Sequence, residues 1–347
     1  MNATHDSRVD RIWYGESPIY WLLLPLSMLF AALIGFRRFV YRHGILRASC
    51  VGVPVIVVGN ITAGGTGKTP VTIWLARALS KSGRSPGIVS RGYRGNVGAR
   101  PVCVRPDSDP AIVGDEAILL ASKCGCPVVV HPDRVAAAKM AVELGAGIVI
   151  ADDGLQHYRL KRDFEIAVVD ANRGFGNGSM LPAGPLREPI SRLKSVDRIL
   201  IHRHADDEHE LFRRAHDTPP LNFRLRVEGV SRLDRSESRQ LVDFAGSTVQ
   251  AVAGIAHPER FFRMLESNGI NVVRHPLPDH ADITPDDLVF TDDLEILMTE
   301  KDAVKCQWID TSKCWFVAVG IEFDGADADV LLDQVLTAGK VREQRTV

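Results

Sequence analysis

A short apolar run, Val53 to Val58, passes straight into Gly59-Asn60-Ile61-Thr62-Ala63-Gly64-Gly65-Thr66-Gly67-Lys68-Thr69-Pro70. A strand, a glycine-rich loop and a helix in that order make a phosphate cradle, because glycines let successive backbone N–H groups turn toward one anion. In that frame residues Thr62, Ala63, Gly64, Gly65, Thr66, Gly67, Lys68 and Thr69 wrap a nucleotide triphosphate. Lys68 reaches the β- and γ-oxygens, and the Thr69 hydroxyl is placed to ligate Mg²⁺. Pro70 suits a first helical turn, whose N–H has no partner in any case. The first glycine of the generic G-x-x-x-x-G-K-[ST] pattern is replaced by Thr62.

A second run, Gly147-Ile148-Val149-Ile150-Ala151-Asp152-Asp153, is an apolar strand that ends in two acids. Beside a P-loop strand this is the form of a Walker B element, with Asp152 on Mg²⁺ and Asp153 orienting a ligand or base. Capping of the next turn is the structural alternative for the same two residues.

Short β-branched runs alternating with helical patterns continue along the chain, the signature of a parallel sheet covered by helices. The expected strands are Val53 to Val58, Gly87 to Ser90, Pro127 to Val130, Gly147 to Ala151, Phe164 to Asp170 and Arg198 to His202. Expected helices run from Pro70 to Ser82, Asp115 to Lys123 and Asp133 to Leu144. A polar stretch with Pro219 and Pro220 follows, and then a second α/β pattern: a strand at Val249 to Ala253, a helix from Pro258 to Asn268, and strands at Asn271 to His275 and Trp315 to Val319. The fold class is therefore α/β: a P-loop sheet with an N-terminal apolar helix and a second, smaller α/β domain. A length of 347 residues is more than one core usually serves. The expected division is 1–48 for the N-terminal region, 49–222 for the P-loop domain and 223–347 for the smaller domain.

Between Ile19 and Phe36 no residue is charged. As a helix these eighteen residues span about 27 Å, which is borderline for crossing a bilayer. Trp13, Tyr14, Tyr20 and Trp21 sit at one end; Arg37, Arg38, Arg42 and Arg47 follow the other, with no acid from 37 to 50. That arrangement suits a helix lying on or partly in a membrane, its basic end on the cytoplasmic side. A secretory signal places its basic region before the apolar run, so that reading is disfavoured. The alternative is a buried core helix, and Pro25 is expected to kink the helix or break its first turns.

The formal charge of −1 offers no global field for nucleic acid, and no obligate protein partner is indicated. Six cysteines at scattered positions read as reduced thiols, and Cys124 and Cys126 lack the second pair a zinc site would need. His202, His204 and His209, among Asp206, Asp207 and Glu208, read as a solvated loop.

Phosphoryl transfer needs an acceptor site and a proton acceptor, which a nucleotide switch does not. Three segments supply candidates at strand ends, where open α/β sheets bind ligands: Ser90-Arg91-Gly92-Tyr93, Gly114-Asp115-Glu116 and His131-Pro132-Asp133-Arg134. Each has a plain alternative, since Asp115 or Asp133 can cap a helix and Arg91 or Arg134 can be a solvated surface residue.

Taken together, the motifs resemble the tetraacyldisaccharide 4′-kinases of lipid A synthesis. The resemblance rests on VGNITAGGTGKTP at 58–70, SRGYRG at 90–95, GDEA at 114–117, HPDR at 131–134, DDGLQH at 152–157 and GNGSMLPAGPLREP at 176–189. AGIAHPERFF at 253–262, PDHADIT at 278–284 and TEKDAVK at 299–305 continue it. It implies transfer of the ATP γ-phosphate to the 4′-hydroxyl of an acylated glucosamine disaccharide 1-phosphate, giving lipid IVA on the cytoplasmic face of the inner membrane. It also implies that Asp115 deprotonates the sugar hydroxyl and that His280 partners it, in a cleft between domains. Tyr93 and Arg134 are implied to line the acceptor or phosphate site; Arg91, at its strand end, is a further acceptor-site candidate, and Arg187 lies in the Pro/Gly-rich loop LPAGPLREP, suited to hold a rigid lip over the site. Glu116 and Glu188 are implied to stand near the Mg²⁺ shell. The rival class is a membrane-associated nucleotide switch or partitioning ATPase. Its loop also reads GGxGKT, but it carries a signature lysine where this chain has Ala63.

Overall fold

The computed structural model describes residues 8–15, 17–203, 218–306 and 313–346. His204, Asp206, Asp207, Glu208 and His209 lie outside the described residues. In chain order the helices are α1 (Arg8–Tyr14), α2 (Ile19–Arg42), α3 (Lys68–Lys81), α4 (Pro110–Val113), α5 (Asp115–Cys124), α6 (Arg134–Glu143), α7 (Pro258–Ser267), α8 (Glu300–Ala303) and α9 (Asp327–Thr346). The strands are β1 (Val55–Gly59), β2 (Pro86–Ser90), β3 (Val102–Val104), β4 (Val128–Val130), β5 (Ile148–Asp152), β6 (Phe164–Asp170), β7 (Arg198–His202), β8 (Leu221–Arg232), β9 (Ser238–Arg239), β10 (Thr248–Ala253), β11 (Asn271–Pro276), β12 (Ile296–Thr299) and β13 (Cys314–Phe323).

All thirteen strands join one sheet in the order β11-β10-β12-β13-β8-β7-β6-β1-β5-β2-β4-β3, with β9 paired to β8. Every residue of β1, β2, β4, β5 and β6 is buried, as helices on both faces of a parallel sheet require. The P-loop strand β1 lies between β5 and β6, with Val58 in register with Asp152, so the glycine loop and the paired acids emerge side by side.

The two expected halves are joined through β8, which pairs parallel with β7 and antiparallel with β13. Each half keeps its own apolar clusters. Val71, Leu75, Ile118 and Ile150 belong to one, and Phe244, Phe262, Leu265 and Trp315 to another. The C-terminal helix crosses the division: Leu331 and Val335 of α9 pack into the cluster built on α3.

Pro25 lies inside α2 without ending it. Helix α2 is not a core helix either, since its most apolar window is only 6% buried. Its inner face is pinned by Ser27, which donates to the Met180 carbonyl at 2.8 Å and accepts from the Ala183 N–H at 2.9 Å. Its outer face presents Trp21, Leu22, Met28, Leu29, Leu33 and Phe36.

His202 is corrected by the structure: rather than sitting in a solvated loop it is buried at the end of β7, stacked on Phe223 with centroids 5.1 Å apart. All six cysteines are free thiols.

Candidate active site

The P-loop is held from behind. Ala63 N–H donates to the Pro185 carbonyl and Arg187 N–H to the Ile61 carbonyl, each at 2.7 Å, so the Pro/Gly-rich segment before Glu188 forms a lip stitched to the loop. Thr62 and Thr66 turn their side chains inward, and Asn60 Nδ2 donates to the Gly64 carbonyl at 3.4 Å and to Thr66 Oγ1 at 3.3 Å. What the loop leaves outside is Gly64 and Gly65, both exposed backbone. Gly67 has φ 92°, a left-handed conformation open to glycine, and hands the chain to α3 at Lys68. Thr69 follows in the first turn.

The acids after β5 behave differently from one another. Burial, with Glu116 and Asp153 close by, pushes Asp152 up to about 7, and the Thr72 hydroxyl donates to it at 2.9 Å. Burial also works against ionisation of Asp153, but Lys68 at 3.7 Å and Arg187 at 2.9 Å outweigh it and bring it down to about 2. A buried carboxylate beside two others, next to a hydroxyl and a phosphate loop, fits a divalent cation that takes one or two protein ligands and completes its shell with phosphates and water. Among the described residues no group of three or more His, Cys, Asp or Glu is placed to hold a metal ion by itself.

The second centre lies across the sheet's crevice. Helix α5 begins at Asp115 because Gly114, at φ 84°, turns the chain there; a Cβ on Gly114 would meet the Tyr93 carbonyl oxygen at 2.5 Å. Asp115 Oδ1 accepts from the Glu116 N–H at 2.8 Å, and its Oδ2 lies 2.8 Å from His280 Nδ1. Residues 165 apart in sequence are thus brought into hydrogen-bond contact. Burial raises Asp115, but the bond from His280 and the charge of Lys301 overcome it and leave the carboxyl below its ordinary value.

Lys301 is the residue that sequence reasoning missed. Its Nζ lies 3.0 Å from His280 Nε2, 3.3 Å from Glu116 Oε1 and 4.0 Å from Asp115 Oδ2. Burial lowers its pKa, but Glu116, Asp115 and Asp279 more than compensate and raise it, so it is an ammonium. An ammonium only donates, so His280 Nε2 accepts and Nδ1 carries the proton given to Asp115. Nothing in the spacing of TEKDAVK says that β12 and α8 deliver its lysine to His280.

Glu116 links the centres, pushing Asp152 up on one side and pairing with Lys301 on the other. Of the four non-glycine residues with positive φ among the described residues, three, Arg94, Asp153 and His280, fall at this site. Such backbone is strained and concentrates where function fixes geometry. Arg94 Nη1 donates to the Asp279 and His280 carbonyls, each at 3.2 Å, fastening the histidine loop.

The remaining expected residues divide. Tyr93 is exposed, with its ring 5.4 Å from that of His280, and Arg91 is exposed beside it. Arg187 grips Asp153. Arg134 is 4% exposed and donates to the carbonyls of His131 and Asp152, beneath the end of β5. Asp133 caps α6 through the Val135 N–H at 3.0 Å. Glu188 is fully buried and ion-paired with Arg192 at 3.0 Å, and to reach a magnesium shell it would have to leave that partner.

A P-loop, a Walker B pair and an acid–histidine–lysine chain beside them define a P-loop phosphotransferase, since a nucleotide switch has no use for the second centre. Residues 19–337 match the model of the Tetraacyldisaccharide-1-P 4′-kinase family. A tetraacyldisaccharide 4′-kinase of Stenotrophomonas maltophilia is 48% identical over 308 residues, 88% of this chain and 90% of its own length. Another from Nitrosococcus oceani is 41% identical and covers 97% of both chains. A crystal structure of LpxK from Aquifex aeolicus in complex with ATP superposes with a TM-score of 0.78 at 27% identity, covering 92% of this chain and 99% of that one. The chain belongs to the tetraacyldisaccharide 4′-kinase family.

Proposed function

We propose that this kinase transfers the γ-phosphate of ATP to the 4′-hydroxyl of a tetraacylated glucosamine disaccharide 1-phosphate at the cytoplasmic face of the inner membrane, giving lipid IVA. The observation that carries this reading is the 2.8 Å contact of Asp115 with His280, reached from the phosphate loop through Glu116. Asp115, held ionised, takes the hydroxyl proton as that oxygen bonds to phosphorus and the bond to ADP breaks. His280 holds the carboxylate in aim through Nδ1–H, and Lys301 fixes the tautomer that makes this possible. Lys68, the loop amides and Arg187 grip the phosphates; Arg91 and Tyr93, exposed just after β2, face the acceptor.

Thr69 and Asp152 would hold Mg²⁺, with Asp153 and Glu116 beside it and Glu188 in reserve behind Arg192. When bound, the ion neutralises charge on the phosphate oxygens. The apolar outer face of α2 and the arginines after it match an acceptor whose acyl chains stay in the bilayer. We place the domain division at 49–222 and 223–347, with 1–48 as the membrane segment. The separate apolar cluster of Phe244, Phe262, Leu265 and Trp315 supports it, and Asp115 and His280 then come from opposite sides of the cleft.

Asp115→Asn and Lys68→Met test the assignment with labelled ATP and the lipid acceptor. Each should lower turnover by about a hundredfold or more while melting normally. Full turnover by Asp115→Asn would remove it as the base.

A further inference from the structure

Three features are left unused by the reaction as described: Arg173, just after β6, and His257 and Arg260, in the segment AGIAHPERFF. They meet at the crest of the phosphate loop. Gly64, at φ 103°, is exposed there, and a Cβ built on it would lie 3.1 Å from Arg173 Nη1. The guanidinium therefore stands against the backbone of Gly64.

Arg173 is firmly aimed. Its backbone N–H donates to Asp170 Oδ1 at 3.1 Å, its Nη2 to Asp10 Oδ1 of α1 at 2.9 Å, and its plane covers the Tyr14 ring at 4.2 Å. Its Nη1, the edge nearest Gly64, meets His257 Nε2. Burial, together with Arg173 and Arg260, pushes His257 down to about 4, so the ring is neutral and accepts from the arginine. Arg260 Nη1 donates to Asp170 Oδ2 at 2.6 Å, bracing the same turn. The loop-facing edge of the guanidinium is thus matched by a neutral ring, while its countercharge lies on the other edge.

We propose that Arg173 is an arginine finger supplied by the chain itself, contacting the terminal phosphate of the bound nucleotide across Gly64. Phosphoryl transfer develops negative charge on the equatorial oxygens of the migrating group and on the departing ADP oxygen. A planar fork with weakly hydrated N–H donors pairs with those oxygens in a way a lysine cannot reproduce. The finger forms no bond and moves no proton; the hydroxyl proton still goes to Asp115. Because Asp10 and Tyr14 belong to α1, the finger is aimed by the segment that leads into the membrane helix.

This inference rests on the kinase reading, and the test separates the two. Full-length wild type, Arg173→Ala and Arg173→Lys are compared for binding of Mg·ADP and of the Mg·β,γ-methylene analogue of ATP, for lipid phosphorylation, and for melting temperature. Arg173→Ala should lose about tenfold or more of its preference for the triphosphate with ADP affinity unchanged, and its turnover should fall by at least about a hundredfold. Arg173→Lys keeps the charge and the fold but not the fork, and should restore only part of either. Equal weakening of ADP and the triphosphate, or lysine at full wild-type turnover, would make Arg173 a structural staple between α1 and α7 and overturn the proposal. Failure of the wild type to phosphorylate lipid would count against the kinase reading itself.

Discussion

Lys301 Nζ and His280 Nε2 lie 3.0 Å apart, on the side of the imidazole opposite Asp115. The lysine decides which nitrogen of the ring is protonated, and through the ring it decides how strongly Asp115 is held as a carboxylate. Replacing it by methionine removes a positive charge that lowers Asp115. Lys301→Met should lower turnover by about tenfold or more and move the acidic limb of the pH–rate profile upward. An unchanged limb would mean that the lysine has no hold on the base.

His157 gives a pH dependence of stability. Burial and the charges of Arg134 and Arg162 push its pKa down to about 4, against about 6.5 in an unfolded chain. Below pH 6.5 the unfolded chain takes up the proton first, so stability falls as pH drops from about 6.5 toward about 4. Its Nε2 is buried with no hydrogen-bond partner among the described residues, so glutamine loses no bond at that atom. Melting temperatures of His157→Gln should fall less steeply than those of the wild type across that window. A parallel decline would show that His157 is not responsible.

The close approach of β1 to the turn after β5 depends on Gly59. A Cβ there would meet Leu155 Cγ at 2.7 Å and the Leu155 backbone nitrogen at 3.1 Å. Gly59→Ala should destabilise by about 1–3 kcal/mol, read by denaturant midpoint. Gly147→Ala, where the nearest atom is 3.9 Å away, serves as the control and should be close to neutral.

Much of this site could be read along the chain because its parts are local. The phosphate loop follows β1 directly, the paired acids stand at the end of β5, and Asp115 opens α5. What could not be read depends on distant placement. Lys301 and Arg173 look like any solvated cation until β12 and α1 bring them to the site. Arg134 follows a helix cap, the pattern of a surface arginine, yet it is drawn under β5 because two carbonyls there need donors. The join between halves falls just after the polar stretch with Pro219 and Pro220, in the strand Leu221–Arg232, which pairs on both edges. Pro25 was expected to disturb α2 and does not end it, while the long α9 left no signal of which half it would cover.

Helix α2 should bind lipid through its outer face. Leu29 and Leu33 are each 59% exposed on it, and Leu29→Asp with Leu33→Asp adds two charges that the bilayer disfavours. In co-sedimentation with anionic phospholipid vesicles the wild type should pellet and the double variant should remain in the supernatant. Equal pelleting would place the membrane contact elsewhere.

The most direct test of the account is where the phosphate goes. The purified full-length protein is given γ-labelled ATP, Mg²⁺ and tetraacyldisaccharide 1-phosphate, beside the same acceptor lacking its 4′-hydroxyl. The first acceptor should give a lipid bisphosphate labelled at the 4′ position, and the second no labelled lipid. Label released only as inorganic phosphate, or equal labelling of both acceptors, would contradict it.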